Sequence, residues 1–422
     1  MAKRRVPPPA LHAEVAKRRR VKPSAPATAA RVPLLDVPLK GLTEVSISME
    51  GGRLRVVGDV GVRGLGRRRS DGLIPATRLT ERDVVEVGAK ELEGAVPAGV
   101  PTSFVPSKAR PTHRLPDGKG TDVDRGGTIF DADDRYLFDD TAFPWRTTGK
   151  VRTEGQWGSG STIGSRLVLT ASHVINWTGG DEGGVSWVTF TPGYFDGSGP
   201  WGEIAATHVI YWIQAPGTLS DEQTAFDYVV LVMAERIGDV VGYPGYRTYD
   251  ERWNGELYWQ CIGYPGELAS GERPAFQGDG VVSSVGDHST SGQTGYVMGH
   301  FNEFTPGQSG GITWGWWGDE PWPRVVGVGS TIGSTAVQTP SGTTTGDNEY
   351  GGGPALSALI GWLGPTSPDG PCAVFRSAAH APPSRPSAPH VARGGMTYVQ
   401  TNASPASGRR VGNDGTWPST PS

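Results

Sequence analysis

From about residue 128 the chain is built of short apolar runs separated by Gly, Pro, Asp and Ser. Examples are Arg166–Thr170, Ser186–Phe190, His208–Ile213, Tyr228–Val232, Leu257–Ile262, Gly280–Val285 and Val325–Val328. They are rich in β-branched and aromatic residues, and such runs bounded by turn residues predict strands. No helical segments alternate with them, which argues against a parallel α/β sheet and for an all-β barrel or sandwich. A single helix is predicted over 354–363, with Pro354 in its first turn and Gly364-Pro365 as its stop. Upstream, Thr43–Met49 and Arg53–Val57 alternate around Gly51-Gly52, the pattern of a hairpin.

Composition divides the chain. Its 422 residues include 63 Gly and 35 Pro, about twice the roughly 12% of average usage. Charged residues make up 19%, too few for a coiled coil or helical bundle, while 14 Trp, 12 Tyr and 11 Phe argue against a wholly solvated chain. No apolar run reaches the roughly 18 residues of a membrane-spanning helix. Residues 1–127 are expected to form a basic, Pro-rich N-terminal region and candidate pro-segment. Within it, 1–33 read as solvated chain and 101–127 as a linker. Residues 128–365 form the folded domain, and 366–422 a disordered tail.

The net charge of −4 hides a basic arm. Residues 1–22 carry Lys3, Arg4, Arg5, Lys17, Arg18, Arg19, Arg20 and Lys22 against Glu14 alone. Such an arm can meet nucleic acid, an acidic surface or an import receptor, but a solvated terminus is the expectation and a nucleic-acid partner is not. Pro-Ser-Ala-Pro follows it, so the apolar core of a secretory signal is not seen. The two cysteines, Cys261 and Cys372, offer no metal-binding spacing. Either they pair or each is a small buried residue. No cofactor or metal is expected.

Three stretches carry chemistry. In Leu167-Val168-Leu169-Thr170-Ala171-Ser172-His173-Val174 a strand ends at a histidine. Phe226-Asp227-Tyr228-Val229-Val230-Leu231 sets a carboxylate before a buried strand. Thr305-Pro306-Gly307-Gln308-Ser309-Gly310-Gly311-Ile312 holds a serine in a glycine-rich turn. A serine hydroxyl needs a neutral imidazole to take its proton, and the imidazole needs a carboxylate to fix its tautomer. Glycines around the serine let the Gly307 and Ser309 N–H groups converge on one oxyanion. The conjunction points to His173, Asp227 and Ser309 as a hydrolytic triad.

In these motifs the chain resembles the chymotrypsin-like (trypsin-fold) serine peptidases, and within them the V8-like, glutamyl endopeptidase branch. Ile262-Gly263-Tyr264-Pro265-Gly266 resembles a motif of the second barrel there. Asp133-Asp134-Arg135 and Phe143–Lys150 look like the segments before and at the start of the mature enzyme. The resemblance covers roughly 130–363. It implies two six-stranded antiparallel β-barrels, with His173 and Asp227 on the first, Ser309 on the second, and a C-terminal helix. It implies endopeptidase activity on a protein or peptide substrate by a monomer. The alternative is an inactive peptide-binding member of the same fold. The family is mostly secreted.

Two departures stand out. Digestive members have Asp before the nucleophile, paired with the chain-end ammonium made by zymogen cleavage; this chain has Gln308, which cannot make that ion pair. Glutamate-specific members carry a histidine on the pocket wall where this chain has Gly329, beside Ser330, so glutamate specificity is not expected. His300 and Glu303 are the remaining pocket candidates, Glu303 favouring a basic substrate side chain.

Overall fold

In the computed structural model the described residues are 6–22, 46–50, 53–57, 73–80, 91–109, 129–130, 132–178, 184–215, 217, 219–338 and 344–363, with the backbone alone at 46–50, 53–57, 332–338 and 344–345. All lie in one contact unit, Met1–Ala379; the second, His380–Ser422, falls outside them.

Strands β1 (Ser46–Glu50) and β2 (Arg53–Val57) form the antiparallel pair expected around Gly51-Gly52. Strand β3 is Ile74–Arg78, β4 Glu91–Leu92 and β5 Tyr136–Leu137. Then follow β6 (Thr148–Thr153), β7 (Gln156–Gly164), β8 (Leu167–Thr170), β9 (Gly184–Val185), β10 (Val188–Pro192), β11 (Ile204–Tyr211) and β12 (Val229–Met233). Strands β6, β7, β8, β12, β11 and β10 pair in that order, and β10 pairs with both β11 and β6, so six antiparallel strands close into a barrel. Closure removes free edges. Its strands are apolar and covered on both faces: Val151, Val168, Leu169, Phe190, Val209, Ile210, Val230 and Leu231 are fully buried, the consecutive ones pointing to opposite sides.

The second sheet holds β13 (Gly245–Arg247), β14 (Trp259–Gly263), β15 (Ala275–Gly280), β16 (Val282–Thr290), β17 (Gln293–His300), β18 (Ile312–Gly315), β19 (Arg324–Gln338) and β20 (Thr344–Gly352). Its path runs β16-β17-β20-β19-β18-β14-β15-β5, with β13 beside β19 and β4 beside β13. It holds ten strands rather than six, the short β4 and β5 from earlier in the chain being two of the additions.

Four helices are described: α1 (His12–Val15), α2 (Asp221–Thr224), α3 (Ile237–Val241) and α4 (Pro354–Leu363). Helix α4 spans the residues predicted. The Trp212 indole donates to the Ala355 carbonyl at 3.0 Å and the Tyr246 hydroxyl to the Gly353 carbonyl at 3.0 Å, anchoring the start of α4 beside both sheets.

The front of the chain differs from expectation. Residues 6–22 are not a solvated arm. Ala10 N–H donates to the Trp316 carbonyl at 2.7 Å, His12 N–H to Leu257 at 2.9 Å, and the Trp317 indole to the Pro7 carbonyl at 3.0 Å. Val15, Phe104 and Trp316 form a small buried cluster. The apolar residues scattered among the basic ones supply this contact, while Arg18 lies over the Phe104 ring and Arg20 pairs with Asp140. Residues 101–109, expected as linker, bridge at Thr102 to Val21 and Phe143 and at Lys108 to Phe138. Strand β3 runs parallel to β11, so segments before residue 127 contribute to both sheets.

Candidate active site

His173 lies in a 3-10 turn, Ser172–Val174, where the chain leaves β8. Ser172 pins that turn: its hydroxyl donates to the Ile213 carbonyl at 2.8 Å and accepts from Ala215 N–H at 3.1 Å. Asp227 follows α2, whose Ser220 and Gln223 make a reciprocal capping box, and precedes the wholly buried β12. The Asp227 side chain is 0% exposed. Its Oδ1 accepts the His173 backbone N–H at 2.9 Å, and its Oδ2 lies 2.6 Å from His173 Nδ1. The Ser330 hydroxyl donates to the same Oδ2 at 2.6 Å. Ser330, read from sequence as pocket wall, thus belongs to the carboxylate's surroundings.

Burial opposes the imidazolium of His173, but the charge of Asp227 and its hydrogen bond outweigh it and hold the ring above the ordinary imidazole range. The arrangement suits a group that takes a proton at Nε2 while Nδ1–H stays on the carboxylate.

Ser309 lies in the turn before β18 and is tied to the first barrel through Ser159. Its carbonyl accepts Ser159 N–H of β7 at 2.7 Å, the Ser159 hydroxyl donates to the Gly307 carbonyl at 2.7 Å, and Ser159 Oγ accepts Tyr264 N–H at 2.9 Å. Sequence reasoning missed Ser159, which stood only as one of several small residues in β7. A Cβ on its neighbour Gly158 would lie 2.6 Å from Val174 and 2.8 Å from the Ser309 carbonyl. The serine backbone and the residue after His173 therefore close on the same glycine. Among the described residues no hydrogen bond joins the Ser309 and His173 side chains; such bonds often tighten only with substrate present.

The turn around Ser309 needs its glycines. Gly307 has φ +98°, and a Cβ there would meet Trp157 and the Tyr264 carbonyl at 2.4 Å; Gly310 has φ +80°, with the Ser159 carbonyl and Thr170 Oγ1 at 2.3 Å. L side chains fit neither conformation nor space. Gly310 N–H donates to the Gly329 carbonyl at 2.9 Å and Gly329 N–H to the Gly311 carbonyl at 2.7 Å, locking the turn to β19. Neither the Gly307 nor the Ser309 N–H has an acceptor among the described residues.

The pocket candidates behave differently. His300 is fully buried, its ring stacked on Tyr350 at 3.5 Å, with Nδ1 accepting Asn302 N–H at 3.2 Å. Burial pushes it well below the usual imidazole range, so it does not offer a cation to an acidic substrate. Glu303 is 3% exposed and hydrogen-bonded to Asp134. Burial and the facing Asp134 carboxylate push it up to about 9. A Cβ on Gly329 would lie 2.5 Å from the Phe304 ring, so that ring fills the place of a larger wall residue. Cys261 is a buried free thiol that burial pushes up to about 11; Cys372 lies outside the described residues. Beside the site, Gln156 donates to the Val174 carbonyl at 2.7 Å and borders a groove lined by Lys150, Trp157, Trp187 and Glu272.

No family model matches the chain. Over 160 residues, 37% of this chain and 48% of the relative, it is 29% identical to a glutamyl endopeptidase of Bacillus licheniformis. The chain resembles the V8-like, trypsin-fold serine peptidases. Over 131 residues, 30% of the chain and 40% of the relative, it is 28% identical to an extracellular metalloprotease of Bacillus subtilis. The chain thus spans less than half the length of these two curated relatives. Among solved structures, a Glu endopeptidase in complex with MPD matches 56% of this chain and 98% of its own, at 18% identity and a TM-score of 0.42. The protease Anisep from Arthrobacter nicotinovorans matches 53% and 97%, at 19% identity and a TM-score of 0.37.

Proposed function

We propose that the protein is a serine endopeptidase in which Ser309, His173 and Asp227 act as the catalytic triad. The observation that carries this reading is the His173–Asp227 pair, 2.6 Å between Nδ1 and Oδ2, with Val174 beside it and the carbonyl of the glycine-framed Ser309 both closing on Gly158. Ser309 Oγ attacks the peptide carbonyl as its proton passes to His173 Nε2. Asp227, steadied by Ser330, holds Nδ1–H and stabilises the imidazolium. The developing oxyanion is received by the Gly307 and Ser309 N–H groups, each donor worth about 3–4 kcal/mol in comparable sites. His173 then gives its proton to the leaving amine. The acyl-enzyme forms between Ser309 Oγ and the carbonyl carbon, and water releases it by the same steps in reverse order.

Residues 128–365 are the peptidase unit in this reading, and the packing of residues 6–22, β3 and 91–109 supports their remaining with it rather than leaving as a pro-segment. Glutamate specificity is not part of the proposal, since Phe304 occupies the space beside Gly329 and His300 is stacked away on Tyr350.

A fluorophosphonate probe is expected to label the wild-type protein at Ser309, and Ser309→Ala to abolish labelling and lower peptide hydrolysis by about 10⁴-fold or more. Labelling that survives the substitution refutes the assignment. A folded wild type that neither labels nor cleaves a peptide library favours a binding protein instead.

A further inference from the structure

The Thr305–Gly311 turn is held by a side chain that none of the proposed chemistry uses. Arg135 stands just before β5, and its side chain is 1% exposed. Its Nη1 donates to Gln308 Oε1 at 2.5 Å and to Thr305 Oγ1 at 3.0 Å. Its Nη2 donates to Glu267 Oε1 at 2.5 Å and Asp133 Oδ2 at 2.7 Å, and its Nε to Asp133 Oδ1 at 2.9 Å. A guanidinium has five N–H donors in a rigid fork, and here the contacts match them in number. Burial opposes its charge, yet Asp133 and Glu267 hold it firmly cationic.

We propose that Arg135 is the positioning residue of the nucleophile turn, and that it does this from within an unbroken chain. The inference rests on the peptidase reading. Gln308 immediately precedes Ser309. Its Oε1 also accepts Thr305 N–H at 3.0 Å, and its backbone carbonyl accepts Gly311 N–H at 2.7 Å. Fixing this side chain therefore restrains the turn between Thr305 and Gly311, within which lie the Gly307 and Ser309 N–H groups assigned to the oxyanion.

The charge balance explains the glutamine. An aspartate before the serine needs a cation of its own, supplied in digestive members by a new chain end. Here Asp133 and Glu267 already balance the guanidinium, so a neutral acceptor completes the set without a further buried charge. Thr305 extends the network, its hydroxyl lying 2.6 Å from Glu267 Oε2. The turn is then ordered by residues that the uncut chain contains, and competence does not depend on cleavage upstream of Asp133.

The test uses the full-length protein and the second-order rate of fluorophosphonate labelling at Ser309, with kcat and KM measured separately on a cleaved peptide. Arg135→Met is expected to lower labelling and kcat by about 10²-fold, the scale of misplacing a reacting group by about 1 Å, with KM changed less than about threefold. Added ethylguanidinium is expected to restore part of the labelling rate, and Arg135→Lys to retain more of it than Arg135→Met. Wild type acetylated at its α-amino group is expected to label at the unmodified rate. Should Arg135→Met fail to fold, Gln308→Met leaves the guanidinium with its two acids and is expected to cost at least about tenfold in labelling. A folded Arg135→Met, or failing that Gln308→Met, labelling at the wild-type rate overturns the inference while leaving the peptidase reading intact. So does loss of labelling on acetylation. Absence of labelling in the folded wild type overturns the peptidase reading and this inference with it.

Discussion

The two halves of the site are held by different physics. His173 and Asp227 are fixed by the closed barrel, where β8 and β12 are buried along their whole length and pair residue by residue. The turn around Ser309 is held by hydrogen bonds: Ser159 of β7 on the Ser309 and Gly307 carbonyls, and a buried polar network in which Arg135 holds Gln308 and Gln308 holds the Glu303 carbonyl. Apolar packing is non-directional, so in the first half it keeps the two strand ends adjacent while a few hydrogen bonds, from Ser172 and Ser330, set the last details. Buried polar groups bear a penalty unless each is matched, so the second half depends on particular partners far away in sequence. The geometry of the candidate site is thus partly a matter of packing and partly a matter of satisfied hydrogen bonds.

The sharpest way to break the comparison is at Asp227. Asp227→Asn leaves a near-isosteric side chain between His173 and Ser330, so the barrel should fold as before. The amide can present a donor to Nδ1 and favour the wrong tautomer. Labelling at Ser309 and kcat are expected to fall by about 10⁴-fold, with the melting temperature changing little. A loss of fold rather than of rate would show that the first half is not held mainly by apolar packing.

The same pair sets the pH dependence. His173 is a base only when neutral, and Asp227 holds it above the ordinary imidazole range. The labelling rate should therefore fall about tenfold per pH unit once the pH drops below an apparent pKa higher than 6.5. The control is Arg135→Lys, which acts on the other half and should lower the plateau without moving the midpoint. A midpoint that moves with Arg135 would mean the two halves are not separable.

What could be read from the sequence follows the same division. The strand runs, the helix at 354–363 and the three motif residues are local signals: an apolar run, a strand-end histidine, a serine among glycines. The Ser330 hydroxyl on Asp227, the Ser159 bridge to Gly307 and Ser309, and Arg135 on Gln308 are separated in sequence by 103, 148 and 173 residues respectively. No periodicity or spacing encodes such pairs. The packing of residues 6–22 was hidden for another reason. Their composition is that of solvated chain, and what folds them is the aromatic surface of Trp316, Trp317 and Phe104 presented by the rest of the protein.

A stability effect that leaves the rate of labelling aside bears on what the polar half costs. Glu303 keeps its proton in the native state, having moved from its ordinary 4.5 to about 9 by burial and the facing Asp134. Between those values the native state binds a proton that the unfolded chain has lost. Stability must then fall as the pH rises through that window, by on the order of 1 kcal/mol per pH unit for one proton. Glu303→Gln keeps a donor for Asp134 and has no proton to lose. Its stability relative to wild type, measured by urea unfolding, should be near equal at pH 5 and should rise progressively towards pH 9. Parallel curves for the two proteins across that range would mean that Glu303 ionises in place without penalty, and that the second half of the site bears no electrostatic cost for its buried carboxyls.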